Sequence, residues 1–171
     1  ILAFKSFCAS IDQEEAKKCA LIMHTDKVCD AGTDLVATIQ AICPEYKVVL
    51  DDTRRSPEEM VSFYNLADVT ANVSSNEGFG LPTLEMMMCG KPIIAIKTGG
   101  LTRQVEDLET GEQYGIALEP EVKSLVGNQL VPYIYEDLVS HETVSSAYMK
   151  MYELGPQGRK ELGMKAMKHA H

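Results

Sequence analysis

Asn76-Glu77-Gly78-Phe79-Gly80-Leu81-Pro82-Thr83-Leu84-Glu85, followed by Cys89-Gly90-Lys91-Pro92 and Thr98-Gly99-Gly100, is the stretch from which the fold reads outward. Just before it, Val69 to Val73 is apolar enough for a short buried strand. Pro82 suits the first position of a helix, where its missing N–H removes no hydrogen bond. The pattern is therefore strand, glycine-bearing turn, helix. A helix start leaves backbone N–H groups without partners, pointing toward an anion. Gly78 and Gly80 carry no Cβ to keep a ligand off that backbone. Glu85 falls about one turn into the helix, and a carboxylate there accepts two hydrogen bonds from a vicinal diol such as a ribose. An anion at the helix start and a diol beside it together describe a nucleotide.

The flanking sequence repeats the alternation. Phe4, Phe7, Cys8 and Ile11 are spaced as one face of a helix, and Ala20 to Met23 reads as a strand running into His24-Thr25-Asp26. Leu35, Ile39 and Ile42 share a helical face that Pro44 terminates. Tyr46 to Leu50 is a Val-rich strand. Ser56-Pro57-Glu58-Glu59 starts a helix that runs to about Leu66, with Ser56 as N-cap and Glu59 completing a capping box. Strand 69–73, helix 82–89 and strand 92–96 follow. Strand and helix alternating at this pace predict an α/β fold with a parallel sheet flanked by helices. Ligands of such sheets bind outside the carboxyl ends of the strands, where the glycine turn lies. Beyond Gly100 we expect a short helix over 101–108 and a last strand over 115–118. A long, partly irregular insertion over 127–138 and two closing helices, 141–154 and 158–170, complete the chain.

Composition narrows the function. The 171 residues suffice for one domain with a real core. Asp and Glu outnumber Lys and Arg by 25 to 16, a formal charge of −9, and the longest basic cluster is a pair such as Arg54-Arg55. That argues against a nucleic-acid surface. The apolar runs are too short for a transmembrane segment, and no cleavable secretory leader opens the sequence. Five scattered cysteines without a Cys-x-x-Cys pair fit free thiols in a reducing compartment, hence a cytoplasmic location, and not a zinc site. His169 and His171 stand at the end of the chain, and His24 is read as a satisfied polar residue.

The run Glu77-Gly78-Phe79-Gly80-Leu81-Pro82-x-x-Glu85, with Cys89-Gly90-Lys91-Pro92-Ile93-Ile94-Ala95 and Thr98-Gly99-Gly100-Leu101, resembles the nucleotide-sugar-binding half of family-4 retaining glycosyltransferases with two Rossmann-like domains (the GT-B type). The resemblance covers about residues 1–118 and continues weakly to the end. It implies a Rossmann-like α/β domain spanning 1–171, truncated at its first strand, with the acceptor-binding N-terminal domain outside this chain. It also implies that Glu77 contacts the donor sugar and serves catalysis. Gly78, Phe79, Gly80 and Leu81 then meet the sugar and diphosphate, and Glu85 holds the ribose. No cofactor and no obligatory metal are implied, in agreement with the lack of an Asp-x-Asp motif; the partners are a nucleotide sugar and an acceptor. An Arg and a Lys that clamp the diphosphate in the family would lie upstream of Ile1.

Outside that run, Thr53 and Arg54 follow the Tyr46–Leu50 strand at the edge where a base would lie, and Thr102-Arg103 stands where many members of the resembled family carry Pro-Glu, which places Arg103 near the diphosphate. These are candidate base or phosphate contacts. Two other functions remain open at this point: a nucleotide or nucleotide-sugar binding module, and half of a nucleotide-sugar epimerase. A dinucleotide-dependent oxidoreductase is disfavoured. Gly78-x-Gly80-x-x-Thr83 lacks the third glycine of that fingerprint, and the next strand ends at Lys97 instead of an acid.

Overall fold

The computed structural model describes residues 1–29 and 32–171. Its order is α1 (Leu2–Ser10), α2 (Gln13–Ala16), β1 (Ala20–His24), α3 (Leu35–Ile42), β2 (Lys47–Asp51), α4 (Pro57–Asn65), β3 (Thr70–Asn72), α5 (Leu81–Met88), β4 (Ile93–Ile96), α6 (Leu101–Val105), β5 (Gly115–Leu118), β6 (Val122–Val126), β7 (Ile134–Leu138), α7 (His141–Glu153) and α8 (Gly155–Ala170). The helices α2, α3, α4 and α7 start where a side chain accepts from an amide of the first turn. Ser56 Oγ accepts from Glu59 N at 3.3 Å while Glu59 Oε2 accepts from Ser56 N at 2.8 Å, the reciprocal cap expected. Asp34 caps α3 by accepting from Ala37 N, and Ser140 caps α7 by accepting from Thr143 N.

The parallel strands form two sheets instead of one. β1 pairs with β2, and β3-β4-β5 form the second, all in parallel register. Among the described residues no ladder joins β1 to β3. The strand read over Val69–Val73 as buried is therefore an edge: Thr70 and Asn72 are half-buried, and Ala71 and Val73 are exposed. Burial concentrates one strand further in. Ile93, Ile94, Ala95 and Ile96 of β4 are inaccessible, packed with Met87 of α5, Leu101 and Val105 of α6, Val144 and Met151 of α7 and Ala166 of α8. Such a continuous apolar run is what a strand covered on both faces requires. A smaller cluster joins Phe4, Phe7 and Cys8 of α1 to Ala16 and Cys43, with Leu21 of β1 and Val48 of β2 against it.

Two expectations are corrected. The segment 127–138 is irregular only as far as 133. It supplies the turn and second strand of an antiparallel hairpin, β6–β7, in register Val122↔Leu138 to Val126↔Ile134. Its alternation was masked because apolar residues lie on both faces, Leu125 and Tyr135 on one and Val126 and Ile134 on the other. The final helix starts at Gly155, earlier than 158, because Pro156 sits in its first turn. No helix among the described residues is long and apolar enough to cross a membrane.

Candidate functional site

The loop from Val73 to Gly80 connects β3 to α5 at the carboxyl end of the sheet. Asn72, the last residue of β3, fixes both ends: its Nδ2 donates to Thr83 Oγ1 at 3.0 Å, and its Oδ1 accepts from Ser74 N at 3.1 Å. Thr83 is almost fully buried, so strand end and helix start are pinned by a satisfied polar pair. Gly80 stands at φ +87°, a left-handed backbone that a side chain disfavours, and its carbonyl accepts the first helical bond, from Leu84 N.

The Thr98-Gly99-Gly100 turn after β4 packs directly on this loop. Gly100 N donates to Gly78 O at 3.1 Å. A Cβ on Gly99 would stand 1.7 Å from Glu77 O, so only glycine allows the approach. From α6, Gln104 Nε2 donates to Phe79 O at 2.6 Å and reaches Gly80 O at 3.3 Å. The loop's carbonyls are thus turned inward and held, and Gly78 and Phe79 are left exposed at its crest.

The sequence-predicted residues Glu77, Gly78, Phe79, Gly80, Leu81 and Glu85 lie together on this loop and the first two turns of α5. Glu77 is half-buried, and its Oε1 accepts from Gly80 N at 3.1 Å. Its carboxylate caps its own loop with one oxygen, a contact that spacing did not reveal. The amides of Leu81 and Thr83 have no acceptor among the described residues, and α5 has no side-chain N-cap. Glu85 is exposed and accepts a hydrogen bond at 2.5 Å from the Tyr64 hydroxyl of α4.

Thr53, Arg54 and Arg103 are not joined to the loop by any hydrogen bond or ion pair among the described residues. Thr53 N donates to Asp51 Oδ1 at 3.2 Å, at the end of β2. Arg54 is exposed, whereas its neighbour Arg55 is committed: it donates to Asp51 Oδ2 at 2.5 Å and lies over the Phe63 ring. That pairing holds the Asp51 carboxyl well below the usual carboxylate range, through the Arg55 hydrogen bond first and then Thr53. Arg103 is an exposed side chain on α6, whose carbonyl faces His169 Nε2 of α8 at 2.9 Å. Lys97, the cation beside the glycine turn, is claimed by Glu119 at 2.7 Å and Glu106 at 3.3 Å. Two shallow depressions, lined by Ile116 and Lys150 and by Ser6 and Met149 among others, lie away from the loop.

Several parts of this site escaped sequence reasoning. Gln104 carried a faint indication, three residues after Leu101 on a helix facing the loop. Tyr64 carried none. Nor did the hairpin, which braces the loop from outside: Asp137 N donates to Ser75 O at 2.7 Å, Asn76 Nδ2 to Tyr135 O at 3.1 Å, and Thr98 Oγ1 to Asp137 Oδ2 at 2.8 Å.

Residues 53–124, which contain the loop, match the family described as glycosyl transferases group 1. A D-inositol 3-phosphate glycosyltransferase from Corynebacterium diphtheriae is 51% identical over 57 residues, 33% of this chain and 13% of that protein. The chain therefore spans a small part of the curated relatives it matches. A sucrose-phosphate synthase from Thermosynechococcus elongatus superposes with a TM-score of 0.64 at 20% identity, over 99% of this chain and 37% of that one. HepE from Anabaena, solved with UDP and glucose, gives 0.55 at 21% identity over 80% and 30%. Residues 53–124 are thus similar to glycosyl transferases of group 1, and the chain as a whole has an α/β fold of the GT-B kind.

Proposed function

We propose that this chain is the donor-binding part of a retaining glycosyltransferase, moving a hexosyl group from a nucleoside-diphosphate sugar to an acceptor hydroxyl. The observation that carries the reading is the start of α5: acceptor-free amides at Leu81 and Thr83, with Glu85 one turn further on. The amides and the positive end of the helix suit a diphosphate. Glu85 suits the ribose diol, and the exposed crest at Gly78 and Phe79 lets the sugar approach the backbone. Glu77 holds Gly80 N through Oε1, which leaves Oε2 for a sugar hydroxyl. The HepE structure, with UDP and glucose bound to a similar fold, favours this ligand class.

Sheet order supports a longer parent. A doubly wound sheet places its first strand between the second and the fourth, in the order 3-2-1-4-5-6. β2-β1 on one side and β3-β4-β5 on the other are the two flanks of that order, each with an open edge. The reading assigns the central strand, the cations that offset charge on the leaving diphosphate, and the acceptor-binding half to that parent. It assigns no metal to the step. The free thiols of all five cysteines favour a reducing, cytoplasmic setting.

The chain then binds nucleoside diphosphate weakly and transfers no sugar alone, because catalysis needs donor and acceptor held together in one cleft. Ligand-observed NMR with UDP, GDP and ADP tests the first part; no signal from any of them at millimolar concentration sinks it. For the second, chain and parent are assayed side by side for nucleotide release from a donor panel, with and without chelator. Turnover by the chain alone overturns the two-half account.

A further inference from the structure

The hydroxyl of Tyr64 reaches from the last turn of α4 to Glu85 Oε2 on α5. The end of α4 is also tied to the segment that follows α5, where Lys91 Nζ donates to Asn65 O at 3.1 Å. Tyr64 is half-buried, whereas Glu85 is exposed. An exposed glutamate left to itself samples many rotamers, and fixing it in place costs conformational entropy on each binding event. A carboxylate has about four lone-pair sites; the tyrosine uses one on Oε2 and leaves Oε1 open.

We propose that Tyr64 is a positioning residue of the donor site: its hydroxyl orients the Glu85 carboxylate so that Oε1 is presented to the ribose hydroxyls of a nucleoside diphosphate. This rests on the reading of the α5 start as a donor site, and it adds a determinant from a different helix. Burial, with Glu85 next, pushes the phenol's pKa upward. The hydroxyl therefore stays protonated, and a donor, across the physiological range. Tyr64 sets only the direction of the carboxylate. Contact of Tyr64 itself with the nucleotide is not required.

The test is a set of ligand-observed NMR titrations of the 171-residue chain and its Y64F, E85Q and Y64F/E85Q variants. The probes are the nucleoside diphosphate that wild type binds best and its 2′,3′-dideoxy analogue, with melting temperatures recorded for every variant. Y64F is expected to lose most of the ribose-over-dideoxyribose preference, about tenfold or more for a hydrogen bond to a charged group, while its dideoxy affinity stays at the wild-type level. The double variant is expected to lose no more than E85Q. Full preference retained in Y64F but lost in E85Q overturns the proposal and leaves the donor reading standing. An equal loss for both probes, accompanied by a lowered melting temperature, marks a merely structural tyrosine and also overturns it. No binding of any nucleoside diphosphate by wild type removes the donor reading and the proposal with it.

Discussion

Gly99 is the residue at which the candidate site tolerates least. It sits at φ +47° with the Glu77 carbonyl where a side chain would begin. Alanine there must displace the Glu77 loop, since the obstacle is backbone. Overpacking of this kind costs about 1–3 kcal/mol, and the left-handed backbone adds about 1–2 kcal/mol for a residue with a Cβ. We expect Gly99→Ala to lower the urea midpoint accordingly, with an unchanged slope; a midpoint at the wild-type value contradicts the packing described. The glycines, Glu77 and Glu85 were legible in the sequence because local spacing fixes which of them share a turn and a helix face. What those side chains touch was not legible. Glu77 folding back onto Gly80 N depends on the rotamer, and Tyr64 is 21 residues from Glu85, beyond the reach of any periodicity. Arg54 and Arg55 show the same limit. Adjacent and identical in type, they differ in that the first is exposed and the second is spent on Asp51.

The hairpin β6–β7 shows how an element outside the alternating pattern bears on the loop. Asp137 connects three segments: its amide meets Ser75 O, its Oδ2 accepts from Thr98 Oγ1, and Lys123 approaches its Oδ1 at 3.9 Å. Thr98 is nearly inaccessible, so removing its acceptor leaves a buried hydroxyl unpaired. Such a loss costs about 1–3 kcal/mol. Asp137→Ala is therefore expected to lower stability by that amount in denaturant melts, with faster hydrogen exchange at Asp137 and Gly100. Lys123→Ala, at an exposed position, is expected to stay within about 0.5 kcal/mol of wild type. A D137A protein as stable as K123A refutes the brace. Apart from the single turn of α2, which was not read, the helices and parallel strands up to β5 were legible because caps, prolines and apolar runs are local and mutually consistent. The hairpin was not, because apolar residues on both its faces, with Leu130 and Tyr133 exposed in its turn, conceal a two-residue period.

At the scale of the whole molecule, burial is divided unequally between the two sheets. β4 is inaccessible along its length, enclosed by four helices. By contrast α3 and α4 contain no buried residue, and Ile22 of β1 and Val49 of β2 are exposed. Apolar burial stabilises by roughly 25 cal/mol per Å² removed from water, so the β1–β2 side holds a smaller share of the folding energy. No ladder among the described residues transmits cooperativity between the sheets; the main tie is α1, packed on α7 through Phe7 against Tyr148 and Tyr152. Elements with few buried contacts open at lower free energy than the core they adjoin. We therefore expect native-state hydrogen exchange to show two units. Amides of β1, β2, α3 and α4 exchange through a local opening, while those of Ile94 to Ile96 exchange only on global unfolding. Moderate urea should leave the second class protected after the first has lost protection, and one common opening energy for both sets contradicts the division. The same logic bears on the proposed site. Tyr64 belongs to the weaker unit and Glu85 to the stronger, so each local opening of α4 releases the Glu85 carboxylate. A ligand that uses the oriented carboxylate binds the closed form better and must oppose that opening. Nucleoside diphosphate is accordingly expected to slow exchange in α4 of wild type, and to do so less in Y64F, where the link between the two units is cut.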